Sequence, residues 1–188
     1  ETGNQACLDH TFSMKTTSCL VNPRACHETM LSYKPTTSAK SVAVIGAGPA
    51  GLAYSTVAAE RGHEVTPFDA ADEIGGQFNL AKRVPGKEEF HETIRYYSKM
   101  LDKLDVDVRL GERVSAADLE GQGFDHVVVA TGITPRVPNI KGIDHPMVVG
   151  YIDAIMGRKP IGKKVAVLGA GGIGFDVTDL ITHEGPSA

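Results

Sequence analysis

Two runs of glycine carry the chemistry that is legible in this chain. The first is Gly46-Ala47-Gly48-Pro49-Ala50-Gly51, directly after the apolar stretch Ser41-Val42-Ala43-Val44-Ile45. The second is Gly169-Ala170-Gly171-Gly172-Ile173-Gly174, directly after Lys164-Val165-Ala166-Val167-Leu168. Each has the G-x-G-x-x-G spacing between a candidate strand and a candidate helix. In that context Gly46 makes a tight turn, Gly48 lets a pyrophosphate approach the backbone, and Gly51 lets helix and strand pack closely. The helix N-terminus, with Pro49 and Ala50 in its first turn, offers unpaired N–H groups and the positive end of a dipole to phosphate. Two such turns predict two dinucleotides, and two dinucleotides predict electron transfer between them.

Asp69 ends the second candidate strand, at the position where a carboxylate accepts ribose hydroxyls. It would repel a 2′-phosphate, so the first site is read as one for FAD or NAD rather than NADP. Two later stretches belong to the same crevice. Gly75, Gly76 and Gln77 lie in the loop after that strand, where glycines pass close to an extended cofactor and an amide can reach ribityl or phosphate oxygens. The alternative there is an ordinary turn with an exposed glutamine. Thr131 and Gly132 follow the apolar run Val127-Val128-Val129, at the carboxyl end of a strand, where ligands of open α/β sheets bind. Here the alternative is a simple strand-to-loop turn. At the second turn, Gly169, Gly171, Gly172 and Gly174 repeat the pattern, but no following strand reports on the ribose. Asp176 falls inside the helix, away from the ribose position, and reads as a packing or surface residue.

The elements that position these residues make an α/β chain, a Rossmann-like FAD/NAD(P)-binding fold with a parallel central sheet and the start of a second nucleotide-binding domain. Residues 41–69 read as a βαβ unit, with a strand buried on both faces and Leu52, Ala53, Val57 and Ala58 on one helical stripe. Glu88 to Lys103 read as a helix with Phe90, Ile94, Tyr97 and Leu101 on its apolar face. Val106, Val108 and Leu110 alternate as a strand, Phe124 to Ala130 form another, and Tyr151 to Met156 a short helix. Residues 1–40 read as an irregular cysteine-containing junction, 41–150 as an FAD-binding domain, and 151–188 as the start of an NAD(P)H-binding domain.

Composition narrows the function classes. The 188 residues are 41% hydrophobic, enough for a core, with 19 Lys plus Arg against 23 Asp plus Glu and a net charge of -4. No basic block stands out, which argues against a nucleic-acid partner. No apolar run approaches the ~20 residues of a membrane span. The N-terminus lacks the basic and apolar regions of a signal peptide, and the three cysteines, Cys7, Cys19 and Cys26, are an odd number. The chain therefore reads as cytoplasmic. The strong metal signal, a Cys-x₂₋₄-Cys pair, is absent, so the default local reading is plain thiols with His10 and His27 as ordinary polar residues; the alternative is a metal or Fe–S site on the three cysteines, with His10 and His27 able to complete a four-ligand set.

The assembled motifs resemble the C-terminal half of the bacterial-type 2,4-dienoyl-CoA reductases. The resemblance rests on Asn4-Gln5-Ala6-Cys7, Cys19-Leu20-Val21-Asn22-Pro23, the first glycine turn, Gly75-Gly76-Gln77-Phe78-Asn79-Leu80-Ala81-Lys82, Pro85-Gly86-Lys87-Glu88-Glu89-Phe90, and Gly169 to Asp176. It covers essentially the whole chain, and trimethylamine dehydrogenases and enoate reductases share the plan. It implies an enzyme in which electrons pass from NADPH through FAD and a [4Fe–4S] cluster to FMN, and then to a dienoyl-CoA in the degradation of unsaturated fatty acids. It aligns Cys7 and Cys19 with the last two cluster ligands, while Gly3 stands where another cysteine is expected and Cys26 is an additional thiol. It assigns FMN, the substrate and the proton donor to a barrel domain, the implied partner within the same polypeptide. It therefore nominates no catalytic residue here, and it implies that neither FMN nor the cluster resides on this chain alone. The two competing readings are a free-standing FAD-dependent pyridine-nucleotide reductase, which in its disulfide form needs a Cys-x-x-Cys that is absent, and a non-catalytic nucleotide-binding fragment.

Overall fold

The computed structural model describes residues 4–185. Its centre is a four-stranded sheet in the order β3-β2-β1-β4, all parallel, made of β1 (Ser41–Ile45), β2 (Glu64–Asp69), β3 (Arg109–Leu110) and β4 (His126–Val129). Helix α1 (Asn4–Phe12) precedes it, in a segment expected to be irregular throughout. Between β1 and β2 runs α2 (Pro49–Glu60), and α3 (Phe78–Ala81) and α4 (Phe90–Lys103) follow β2. The short α5 (Ala116–Leu119) precedes β4; α6 (Tyr151–Ile155) and α7 (Gly172–Thr182) come last.

Strand β1 is central, and its middle residues are buried. Val42, Ala43 and Val44 are buried, as expected of a parallel strand covered on both faces. Val42 and Val44 pack with Ala58 of α2 and Val65 of β2. A second cluster joins Ala47 and Leu52 to Tyr97 and Leu101 of α4, so the amphipathic stripe of α4 closes over the first glycine turn. Burial of Tyr97 pushes its phenol above the usual tyrosine range. Asp125 extends the β1–β4 ladder: its Oδ2 accepts from Ser41 N at 2.9 Å, and its own N donates to Ser41 O at 2.8 Å.

Strand β3 is shorter than the alternation over 106–110 predicts, and Pro67 explains why. Glu64 N donates toward β1, to Lys40 O, and Phe68 O accepts from Gly46 N on the same side. Residues of a parallel strand alternate sides, so Pro67 faces β3 with no N–H to donate. Pairing with β3 begins only at Phe68↔Arg109 and Asp69↔Leu110.

The strand expected at 164–168 does not form. No strand among the described residues pairs with it, and Val165, Val167 and Leu168 are exposed. The helix that should follow it, α7, is nevertheless built, and it packs on α6, whose Ile155 is buried.

Candidate nucleotide-binding site

The first glycine turn is shaped by two close backbone approaches. Gly46 has φ +113, in the region that favours glycine, and a Cβ there would collide with Ala130 O and lie 2.8 Å from Ala130 C. A Cβ on Gly51 would collide with Gly46 O and lie 3.4 Å from Val44 Cγ1. The start of α2, the end of β1 and the end of β4 therefore meet at a point where no side chain fits. Gly48 is different: a Cβ there meets only Gly76 Cα, at 3.8 Å. A Cβ at Gly48 would thus make only ordinary van der Waals contact, with no close backbone approach of the kind seen at Gly46 and Gly51. Gly48 also caps α2 without a side-chain hydrogen bond, and Pro49 occupies the first helical turn. Ala50 and Gly51 thus carry first-turn N–H groups that lack intrahelical partners.

The loop after β2 closes against this turn. Gly75 N donates to Ala47 O at 2.8 Å. Gly76 adopts φ +51, and a Cβ there would lie 2.9 Å from Gly48 Cα. Asp69 holds the same junction from below. Its Oδ2 accepts from Ala47 N at 2.6 Å and its Oδ1 from Ala71 N at 2.9 Å. Each carboxylate oxygen keeps acceptor capacity for a ribose hydroxyl. Gln77 is exposed at the start of α3, and its side chain makes no capping hydrogen bond. Thr131 and Gly132 are exposed at the end of β4, with Gly132 at φ +70. The structure thus places Gly46, Gly48, Pro49, Ala50, Gly51, Asp69, Gly76, Gln77, Thr131 and Gly132 on segments that meet at or next to the first turn, at the carboxyl end of the sheet.

Two residues outside the glycine motifs support this loop. Buried Asn79 donates from Nδ2 to Ile74 O at 2.9 Å and accepts from Lys82 Nζ at 2.6 Å. Lys82 is largely covered and also faces Glu73 at 3.8 Å. The legible signal was the Asn-x-x-Lys spacing, which puts both side chains on one helical face.

The second glycine turn repeats the first in backbone detail. Gly169 has φ +115. Gly171 caps α7 at φ -88, ψ -179, against -77 and -177 for Gly48. A Cβ on Gly174 would collide with Gly169 O, just as one on Gly51 would with Gly46 O. A Cβ on Gly171 or Gly172 would meet nothing within 4 Å, so this turn is open to a phosphate. Asp176, expected at the surface or in packing, is partly exposed and forms an ion pair with Lys87 at 2.6 Å.

The residues fit a dinucleotide at the first turn and leave phosphate access at the second. They do not fit an iron–sulfur cluster. Cys7 and Cys19 are half-buried, Cys26 is exposed, and no group of three or more His, Cys, Asp or Glu among the described residues could hold a metal. No described helix is long and apolar enough to cross a membrane.

The parallel sheet, the glycine turn after β1 and the carboxylate at the end of β2 define a Rossmann-like nucleotide-binding domain. Residues 40–185 match the model of the pyridine nucleotide-disulphide oxidoreductase family, and the chain belongs to it. It is a FAD/NAD(P)H-type oxidoreductase domain. It is 38% identical to a metal reductase of Desulforamulus reducens over 97% of this chain and 28% of the relative. It is 32% identical to a bilirubin reductase of Mediterraneibacter gnavus, again over 97% and 28%. Among solved structures, a 2-naphthoyl-CoA reductase complex superposes with a TM-score of 0.88 at 35% identity, over 95% of this chain and 27% of that one. The chain therefore spans little more than a quarter of the length of these relatives.

Proposed function

We propose that the chain binds FAD at the first glycine turn and a reduced nicotinamide dinucleotide at the second, and that it passes electrons from the nicotinamide to the flavin. The observation that carries this reading is the repetition of one turn geometry at Gly46–Gly51 and Gly169–Gly174 within a single chain. FAD, when bound, accepts a hydride as an electron pair and hands electrons on singly or together. The protein's part is binding and orientation. The N–H groups of Ala50 and Gly51 meet the pyrophosphate, and the α2 dipole favours its charge. Asp69 accepts the adenosine ribose hydroxyls and, as an anion, discriminates against a 2′-phosphate at this turn. Gln77, Thr131 and Gly132 line the path of the extended cofactor. Titrating the protein with FAD, with Gly48→Val as control, tests the first site. Saturable binding in the parent chain that is lost in the variant supports it; equal binding in both counts against it.

A finer reading is favoured by the near-complete coverage of this chain in the 2-naphthoyl-CoA reductase comparison. In it the chain is the electron-entry module of a larger NADPH-dependent reductase of the 2,4-dienoyl-CoA type, feeding an FMN-bearing barrel domain elsewhere in the polypeptide. Residues 1–40 are then the junction, 41–150 the FAD domain and 151–188 the beginning of the NAD(P)H domain. Cys7 and Cys19 alone do not make a cluster, so any [4Fe–4S] centre at the junction takes further ligands from outside this chain. Substrate profiling of the full-length enzyme with dienoyl-CoA, enoate and amine substrates separates this reading from its relatives.

A further inference from the structure

Lys87 and Asp176 are far apart in sequence, yet Nζ of Lys87 donates to both carboxylate oxygens of Asp176, at 2.6 and 2.7 Å. Among the described residues it is the one ion pair that joins α7 to the sheet-bearing part of the chain. Its two ends are held very differently. Lys87 stands on an anchored turn: Lys87 N donates to Val84 O at 3.0 Å, Val84 is buried, and Phe90 stacks on Phe78 with ring centroids 4.4 Å apart. Asp176 stands on α7, which has no buried residue and exposes Ile173 and Phe175. Apolar packing therefore fixes the lysine, while α7 packs on α6 and faces the exposed 161–167 segment, and this pair ties it to the Lys87 turn. The pair is about one-third exposed on each side, so solvent screens it less than it would a fully exposed pair.

We infer that Lys87 and Asp176 form a latch that holds α7, and with it the second glycine turn, at a set position relative to the first nucleotide site. Asp176 lies two residues after Gly174, so a shift of its carboxylate carries the phosphate-binding end of α7 with it. Lys87 in turn follows the loop that carries Gly75, Gly76 and Gln77. The latch connects the flavin-side loop to the nicotinamide-side helix through one charged contact. Both are positioning residues; neither touches a nucleotide in the proposed arrangement. Their importance for transfer between nucleotides rests on the two-site reading above, but the latch itself does not.

The test is amide hydrogen exchange of the nucleotide-free protein, following residues 172–182 against the α2 amides as an internal fold control. Lys87→Gln and Asp176→Asn are each expected to speed exchange in α7 by about three- to tenfold, as befits a partly exposed pair, with α2 unchanged. The swap Lys87→Asp with Asp176→Lys is expected to recover most of the protection. Unchanged α7 exchange in both single variants overturns the latch, and so does a swap no better protected than the singles. If either single variant loosens α2 as well, Lys87→Arg decides. Retained α7 protection in Lys87→Arg upholds the latch, and its loss overturns it. A second arm measures reduction of bound FAD by NADPH in single turnovers. If wild-type protein binds no FAD or shows no reduction, the two-site reading fails while the exchange result still judges the latch. If reduction occurs and is equally fast in the single variants, the latch has no positioning role and that part of the inference falls.

Discussion

Asp69 accepts the backbone N–H of Ala47 through Oδ2 at 2.6 Å, so the carboxylate that ends β2 is bonded into the glycine turn that follows β1. The same side chain accepts from Ala71 N through Oδ1 at 2.9 Å. A residue chosen on sequence grounds for ribose recognition is therefore also a brace of the turn. Replacing it with alanine leaves two backbone N–H groups without their charged acceptor. Hydrogen bonds to charged groups contribute about 1.5–3 kcal/mol each at most, and partial exposure lowers that. Asp69→Ala is expected to lose roughly 1–3 kcal/mol in urea unfolding. Asp69→Asn, which keeps one carbonyl acceptor, is expected to lose less. Equal stability of Asp69→Ala and wild type would mean that the brace carries no load.

Gly48 and Gly76 separate binding from folding. A Cβ on Gly48 has 3.8 Å to its nearest neighbour, so Gly48→Ala is expected to fold with near-native stability while FAD affinity falls. A Cβ on Gly76 lies 2.9 Å from Gly48 Cα, on a backbone with φ +51. Gly76→Ala is expected to cost about 1–3 kcal/mol in stability before any ligand is added. Thermal unfolding and FAD titration of the two variants check both halves.

The paired glycines of the two turns give an internal comparison. Gly51→Ala and Gly174→Ala meet the same obstacle, the carbonyl of the first glycine of the turn. Gly51, in the first turn of α2, is buried against the end of the central strand, whereas the segment before Gly174 is exposed. The rigid surroundings of Gly51 give the backbone little room to move. Gly51→Ala is expected to destabilise the whole domain by ~2 kcal/mol or more. Gly174→Ala is expected to raise hydrogen exchange in α7 with little change in the unfolding midpoint.

Acid sensitivity follows from Asp125. The Ser41 N–H that it accepts, then Lys40 and His126 nearby, hold its carboxyl below the usual carboxylate range. A group whose folded pKa is depressed contributes stability above its unfolded pKa, and that contribution is lost as pH falls through the folded value. Stability is thus expected to drop below about pH 4, with Asp125→Asn flattening part of the slope. Glu92, hydrogen-bonded to Arg95, and Asp118, hydrogen-bonded to Ser115, are shifted the same way and are expected to add to the slope. Urea midpoints of the two proteins between neutral and acid pH check this.

The sheet and the first turn were legible because their signals are local. Val42 to Ile45, the glycine spacing and the stripe on α2 sit within one βα unit, and each agrees with the others. What sequence could not reveal depended on distant partners. β3 shrinks because Pro67, on another strand, has no N–H to offer. Residues 164–168 carry strand composition, yet no strand among the described residues pairs with them. The contact of Gly76 with Gly48 needed the loop after β2 to fold back, although both glycines were already candidates. Asp176 read as a packing or surface residue, and its specific partner was hidden because Lys87 lies 89 positions away.

The central claim is that one chain places a flavin within reach of a reduced nicotinamide. The most direct measurement is the absorbance spectrum of the FAD-reconstituted protein before and after anaerobic addition of NADPH, with NADH in parallel. Bleaching of the flavin bands by either nucleotide is the expected result, and the faster of the two identifies the preferred donor. Bound flavin that stays oxidised with both would contradict the claim and leave a nucleotide-binding domain without electron transfer.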